Sequence, residues 1–129
     1  MFLHVEPDNG LAVYDQIVRQ VKFAVADGAI APGELAPSVR ELARELTINP
    51  NTVARAYRQL QDDGVLESVR GTGLAVAADA RRLCQRERRS LVSERLGQAL
   101  SEAVQAGLEA AEIEQLVAVQ LRRAQRGQG

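Results

Sequence analysis

Residues 37–73 read PSVRELARELTINPNTVARAYRQLQDDGVLESVRGTG, and their spacing predicts two helices joined by a tight turn and followed by a β-hairpin. Ser38 is placed to cap the first helix, and Glu41, three residues on, completes a capping box. Val39, Leu42, Ala43 and Leu46 recur at i, i+3, i+4 and i+7, one apolar stripe that must pack on something. Arg40 and Arg44 fall off that stripe. Thr47, Ile48 and Asn49 form the turn, with Ile48 as its apolar plug. The second helix opens with Asn49 as N-cap and Pro50 at the first helical position, where a missing amide proton costs little.

That second helix has two faces of different chemistry. Val53, Ala56, Tyr57 and Leu60 make a buried stripe, whereas Asn51, Arg55, Arg58 and Asp62 share the opposite face, flanked by Thr52 and Gln59. Arginine suits guanine and asparagine or glutamine suits adenine, each through paired hydrogen bonds. A helix of this kind enters the major groove with its N-terminal residues nearest the bases. Gly64 closes it as a C′ glycine. Val65–Val69 and Leu74–Ala77 are short strand-like runs joined by Arg70-Gly71-Thr72-Gly73, a wing whose glycines supply the positive φ that a tight hairpin needs. Arg70 at the tip is placed for a phosphate or a narrow minor groove, although an arginine beside glycine is common on any hairpin.

The run PGELAPSVRELARELTINPNTVARAYRQLQDDGVLESVRGTG resembles the N-terminal DNA-binding domain of GntR-family transcriptional regulators. The likeness rests on PSVRELA, NPNTVARAY, the L-x-x-x-G from Leu60 to Gly64 and the R-G-T-G wing, and it covers Tyr14 to about Ala77. It implies DNA contacts at Arg40, Asn49, Asn51, Thr52, Arg55, Arg70 and Gly71. Arg58, from the exposed helix face, and Thr72, from the wing tip, complete the candidate set. One departure is Ala36, where the family usually has leucine before the proline; looser packing is expected there.

Composition bounds the remaining readings. The chain has 129 residues with 16 basic and 17 acidic side chains, so non-specific attraction to phosphates is expected to be weak and the local distribution of charge to matter more. Arg40, Arg44, Arg55, Arg58 and Arg70 are expected to converge on one surface. No apolar run is long enough to span a membrane, and no signal peptide opens the chain. The single cysteine, Cys84, allows no internal disulfide and suits a reducing cytoplasm. Cys84 and the lone His4 both read as bland. No phosphate loop, nucleophile–histidine pairing or metal-ligand spacing is present, which argues against an enzyme and against a cofactor.

Taken in order, Met1 to Gly10 reads as an extended arm able to pack as a strand through Phe2, Leu3 and Val5. Tyr14, Ile17, Val18, Val21, Ala24 and Val25 predict a supporting helix over Ala12 to about Asp27, ended by Gly28. Ile30 is expected to add one strand residue beside the wing. After the wing, Val92, Leu96, Ala99, Leu100, Ala103 and Val104 predict one helix, with Asp79 as its N-cap. Beyond the break at Gly107, Ile113, Leu116, Val117, Gln120 and Leu121 predict a second. The cluster Arg81, Arg82, Arg86, Arg88, Arg89 reads as a solvated helix face, with added phosphate contacts as the alternative.

The expected fold is mainly α with a small β-wing: a winged helix-turn-helix over residues 1–77, then an antiparallel helical hairpin over residues 78–129 that serves dimerisation. Two helices of this length cannot bury a full core alone, so a second copy is the simplest partner. The short C-terminal segment resembles the YtrA-like subfamily, and the 52 residues after Ala77 are expected to leave no room for the effector-binding or aminotransferase-like domains of larger subfamilies. That likeness implies a dimeric bacterial repressor on a two-fold symmetric operator, cytoplasmic, with a small-molecule effector possible but unidentified. A winged-helix protein-interaction module and a low-specificity architectural DNA binder are the alternatives. Asn51, Arg55 and Arg58 favour DNA over the first, and the near-neutral charge speaks against the second.

Overall fold

A computed structural model describes residues 3–7 and 10–127. Five helices and one two-stranded antiparallel sheet follow in the order α1 (Val13–Asp27), α2 (Val39–Leu46), α3 (Pro50–Asp62), β1 (Leu66–Val69), β2 (Gly73–Val76), α4 (Ala80–Gln105) and α5 (Ala110–Arg126). This is a winged helix-turn-helix followed by two further helices. The chain forms two compact units, Met1–Arg89 and Ser90–Gly129, so the first ten residues of α4 belong with the winged helix.

The first unit closes a core of its own. Ile17, Val21 and Val25 from α1, Leu42 from α2, Val53 and Leu60 from α3, and Val65 and Val76 from the wing are all fully or almost fully buried. The caps follow the residue chemistry. Ser38 Oγ accepts from the Glu41 amide at 3.1 Å and Asn49 Oδ1 from the Asn51 amide at 2.8 Å, each satisfying an orphan donor of a first turn. Thr47 between α2 and α3 has φ 56°, a left-handed conformation that a β-branched residue rarely adopts.

The wing pairs Leu66 with Val76 and Val69 with Gly73. Its third strand residue is Leu35, which bridges to Ala75, and not Ile30 as the sequence suggests. Backbone bonds from Gly33 to Val76 and from Ala36 to Leu74 seat residues 33–36 along β2, while Ile30 turns into the core. Tyr57 explains part of this placement: its hydroxyl donates to the Pro37 carbonyl at 2.7 Å and ties the extended segment to α3. Burial, with Glu41 and Glu45 close by, pushes that hydroxyl's pKa well up.

The arm forms no strand over residues 3–6, and Phe2 lies outside the described residues. Side chains on α1 take the place of a neighbouring strand. Gln16 accepts from the Glu6 amide and donates to the Glu6 carbonyl, both at 2.7 Å, and Gln20 does the same for His4. Four residues of helix rise about 6 Å and two residues of extended chain about 6.6 Å, so glutamines at i and i+4 match backbone groups at i and i+2.

The start of α4 is fastened to the same unit. Ala80 and Cys84 enter the core. Lys22 on α1 bridges Asp63 at 2.8 Å and Glu87 at 2.9 Å, Gln85 donates to the Ala26 carbonyl, and Arg88 pairs with Asp27. The Arg81 guanidinium lies against Gly28. Two members of the arginine cluster thus sit at the C-terminal end of α1, where cations are favoured. Burial pulls the Lys22 ammonium down, but hydrogen bonds and charge from Asp63 and Glu87 outweigh it, and the net shift is upward.

The second unit is built differently. Gly107, with φ 86°, ends α4 and lets the chain turn into α5. No described residue from Ser90 onward is buried. Among the described residues of this unit, Leu91, Leu100, Ala103, Leu108, Ile113, Ala118 and Val119 are half-covered. Val92, Leu96, Val104, Leu116, Val117 and Leu121 all stand exposed.

Candidate nucleic-acid interface

The buried stripe of α3 forces the chemistry of its other face outward. Because Val53, Ala56, Tyr57 and Leu60 are in the core, the helical period turns Asn51, Arg55, Arg58 and Gln59 to solvent, and each of these four is exposed. Thr52 is half-buried. Pro50 begins the helix and Asn49 holds its first amide. The Asn49 oxygen is engaged in this cap, while its amide nitrogen carries two further donors.

Side-chain pairing divides the face further. Gln59 donates to Asp63 at 3.0 Å and is held toward the C-terminal end of α3. Arg55 lies over the ring of Tyr14, 3.7 Å from its centroid. Arg40 on α2 is exposed, off the stripe carried by Leu42 and Ala43. At the wing tip the Thr72 amide donates to the Val69 carbonyl and the Thr72 hydroxyl to the Arg70 carbonyl. Gly71 and Gly73 take φ 77° and 118°. Thr72 therefore shapes the tip, while Arg70 and Gly71 stand exposed on it.

An open cleft of about 670 Å³ separates the wing from the start of α2, lined by Ala36, Glu41, Glu45, Tyr57, Thr72 and Leu74 among others. The short Ala36 side chain lies in its wall. Among the described residues no group of histidine, cysteine, aspartate or glutamate is arranged to hold a metal ion, and no helix is long and apolar enough to cross a membrane. Cys84 is buried, and burial, followed by the charges of Glu87 and Asp63 against an opposing Lys22, pushes its thiol up to about 11. A thiol held neutral in this way is a poor nucleophile.

Residues 13–76 match the bacterial regulatory proteins of the gntR family, and the chain is 35% identical over 107 residues to the HTH-type transcriptional repressor YtrA of Bacillus subtilis, covering 83% of this chain and 82% of that one. The chain belongs to the GntR family. It is therefore a transcriptional regulator with a DNA-binding domain, and not an enzyme. The fold extends the relationship: a transcriptional regulator from Oenococcus oeni superposes with a TM-score of 0.80 at 28% identity, over 93% of this chain and 99% of that one. The AraR DNA-binding domain, solved in complex with operator ORX1, matches 60% of this chain and 93% of that one, with a TM-score of 0.50 at 27% identity.

Sequence reasoning missed the contacts that organise these side chains. Nothing in the spacing signals the Tyr14–Arg55 stack, because the partners lie on helices 41 positions apart. Gln16 and Gln20 carry a weak signal, two glutamines at i and i+4 on a supporting helix, but the pattern does not say what they hold.

Proposed function

We propose that this GntR-family regulator is a bacterial repressor that binds a two-fold symmetric operator as a homodimer in the cytoplasm, with α3 in the major groove and the wing on the adjacent groove or backbone. The single observation that carries the reading is the outward face of α3, where Asn51, Arg55 and Arg58 are exposed on a helix whose other side is locked into a closed core. Arg40, Asn49 and Thr52 at the helix starts, and Arg70, Gly71 and Thr72 at the wing tip, are the proposed remaining contact positions. Phosphate contacts would set register, and base-edge contacts from α3 would set sequence.

The dimer rests on the second unit. Six exposed large apolar residues on α4 and α5 are a surface that a second copy would cover, and an isologous pair would present two reading helices to an inverted repeat.

Selection of the purified chain against a random DNA duplex library tests both parts, with the winners titrated across a salt series. An enriched inverted repeat is the expected result. Enrichment of a single half-site would remove the symmetric dimer, and salt-sensitive binding with no preferred sequence would remove base readout by α3.

A further inference from the structure

Arg55 is the exposed arginine of α3 whose guanidinium is held by another side chain, and the holder is Tyr14 from the first turn of α1. The geometry points to Tyr14 as a positioning residue for base readout, one whose ring fixes the Arg55 guanidinium so that its N–H edge is free for guanine. The inference rests on the reading of α3 as the base-reading helix and adds to it a residue on a different helix.

The chemistry of the two kinds of arginine partner decides the point. A carboxylate would occupy the N–H edge of the guanidinium, the same edge that pairs with guanine O6 and N7. An aromatic ring takes only the flat face, leaving all five N–H donors in the plane unspent. Among the described residues Arg55 makes no ion pair, so the ring is its partner and its edge is open. A free arginine side chain samples many rotamers and must lose that freedom on binding. Stacking removes part of that loss before DNA arrives, as does any contact that preorganises a binding group.

Tyr14 is suited to this. Its ring is half-buried, packed against the core on one side, so it is itself held in place while a face remains for Arg55. Its hydroxyl makes no hydrogen bond among the described residues, so the ring rather than the oxygen carries the role. Phenylalanine should therefore replace it, and leucine, similar in apolar bulk but without a π face, should not.

The test uses the full chain and the best duplex from the random-library selection, together with duplexes altered at each single base pair. Tyr14→Leu is expected to weaken the preferred duplex by about threefold to tenfold and to lower the preference at one base pair, the same pair at which Arg55→Ala loses its preference. Tyr14→Phe should stay within about twofold of wild type, and Tyr14→Leu should add nothing in the Arg55→Ala background. A loss spread evenly over all duplexes, failure of Tyr14→Phe to match wild type, or full additivity in the double variant would overturn the proposal. Wild-type enrichment without any base preference lost in Arg55→Ala would overturn the role of Arg55, and the positioning role with it. Should Tyr14→Leu fail to fold, proton NMR of the wild-type chain decides instead. The Arg55 side-chain protons should be shifted upfield by the ring in free protein and stay so on the selected duplex, and loss of that shift on binding would sink the idea.

Discussion

Leu60 on α3 and Leu121 on α5 both belong to the apolar stripe of an amphipathic helix, yet Leu60 is 0% exposed and Leu121 is 55% exposed. The difference lies in what surrounds each helix. Around α3 stand α1, α2 and β1, and the start of α4 adds Ala80 and Cys84 to the same core, enough elements to close over an apolar stripe. Among the described residues from Ser90 onward there are only the later part of α4 and α5, and two helices cannot enclose a stripe. A similar helical period therefore yields a finished core in one region and an open apolar face in the other. A region that binds DNA must keep a rigid, self-sufficient shape, whereas one left open is suited to completion by another chain.

The sharpest way to test the contrast is truncation of those two leucines. Leu60→Ala is expected to cost about 2–5 kcal/mol, read as a fall in the denaturant midpoint that does not depend on protein concentration. Leu121→Ala should change the dilute chain by less than about 0.5 kcal/mol and act instead on self-association, measured by sedimentation. A large, concentration-independent loss for Leu121→Ala would mean that the second unit has a core of its own.

Where the first unit ends can be tested by shortening the chain. A chain stopped after Arg89 keeps Ala80, Cys84 and Glu87, whereas one stopped after Ala77 loses all three. The shorter form should be less stable by about 2 kcal/mol or more in thermal melts, and equal stability would show that the start of α4 contributes nothing to the winged helix.

The ion cluster at that junction gives a smaller effect with a definite pH dependence. Lys22→Met leaves Asp63 and Glu87 without their shared cation and should cost about 1–3 kcal/mol. Cys84 adds a second handle. Its folded thiol titrates at about 11, above the ordinary 9.0, so its contribution to stability is complete below pH 9 and is lost as pH rises through 11. The upward shift of Lys22 acts in the same direction at still higher pH. Denaturant midpoints measured from pH 7 to 10 should fall at the alkaline end, and Cys84→Ala should flatten that fall relative to wild type. A midpoint that rises with pH would contradict the sign.

Smallest is the turn between α2 and α3. Thr47 holds a left-handed conformation at φ 56° that glycine adopts without strain, so Thr47→Gly should stabilise the first unit by about 1 kcal/mol. Destabilisation would show that the exposed threonine side chain has a contact of value there.

Much of this architecture was legible because local rules and tertiary packing agree. Ser38 and Asn49 cap helices where their side chains can accept an amide, Gly28 and Gly64 stop helices where φ turns positive, and the period of 3.6 sorts α3 into a core face and a solvent face. The candidate contact residues followed from that sorting and from resemblance to a family to which the chain belongs. What could not be read was any contact between residues distant in sequence. The spacing placed Ile30 rather than Leu35 beside the wing, because an alternating apolar residue in a loop fits either role until Tyr57 and the backbone of β2 choose between them.

By itself, then, the sequence determined the elements, their ends and the side chains each element turns outward, since these depend on interactions within a few residues. The tertiary structure alone decided which outward side chains are held and which are free. Arg55 is stacked on Tyr14 and Gln59 is drawn to Asp63, while Lys22 ties α1 to Asp63 at the C-cap of α3 and to Glu87 on α4. Those choices depend on distances between helices, and no local pattern in the chain encodes a distance.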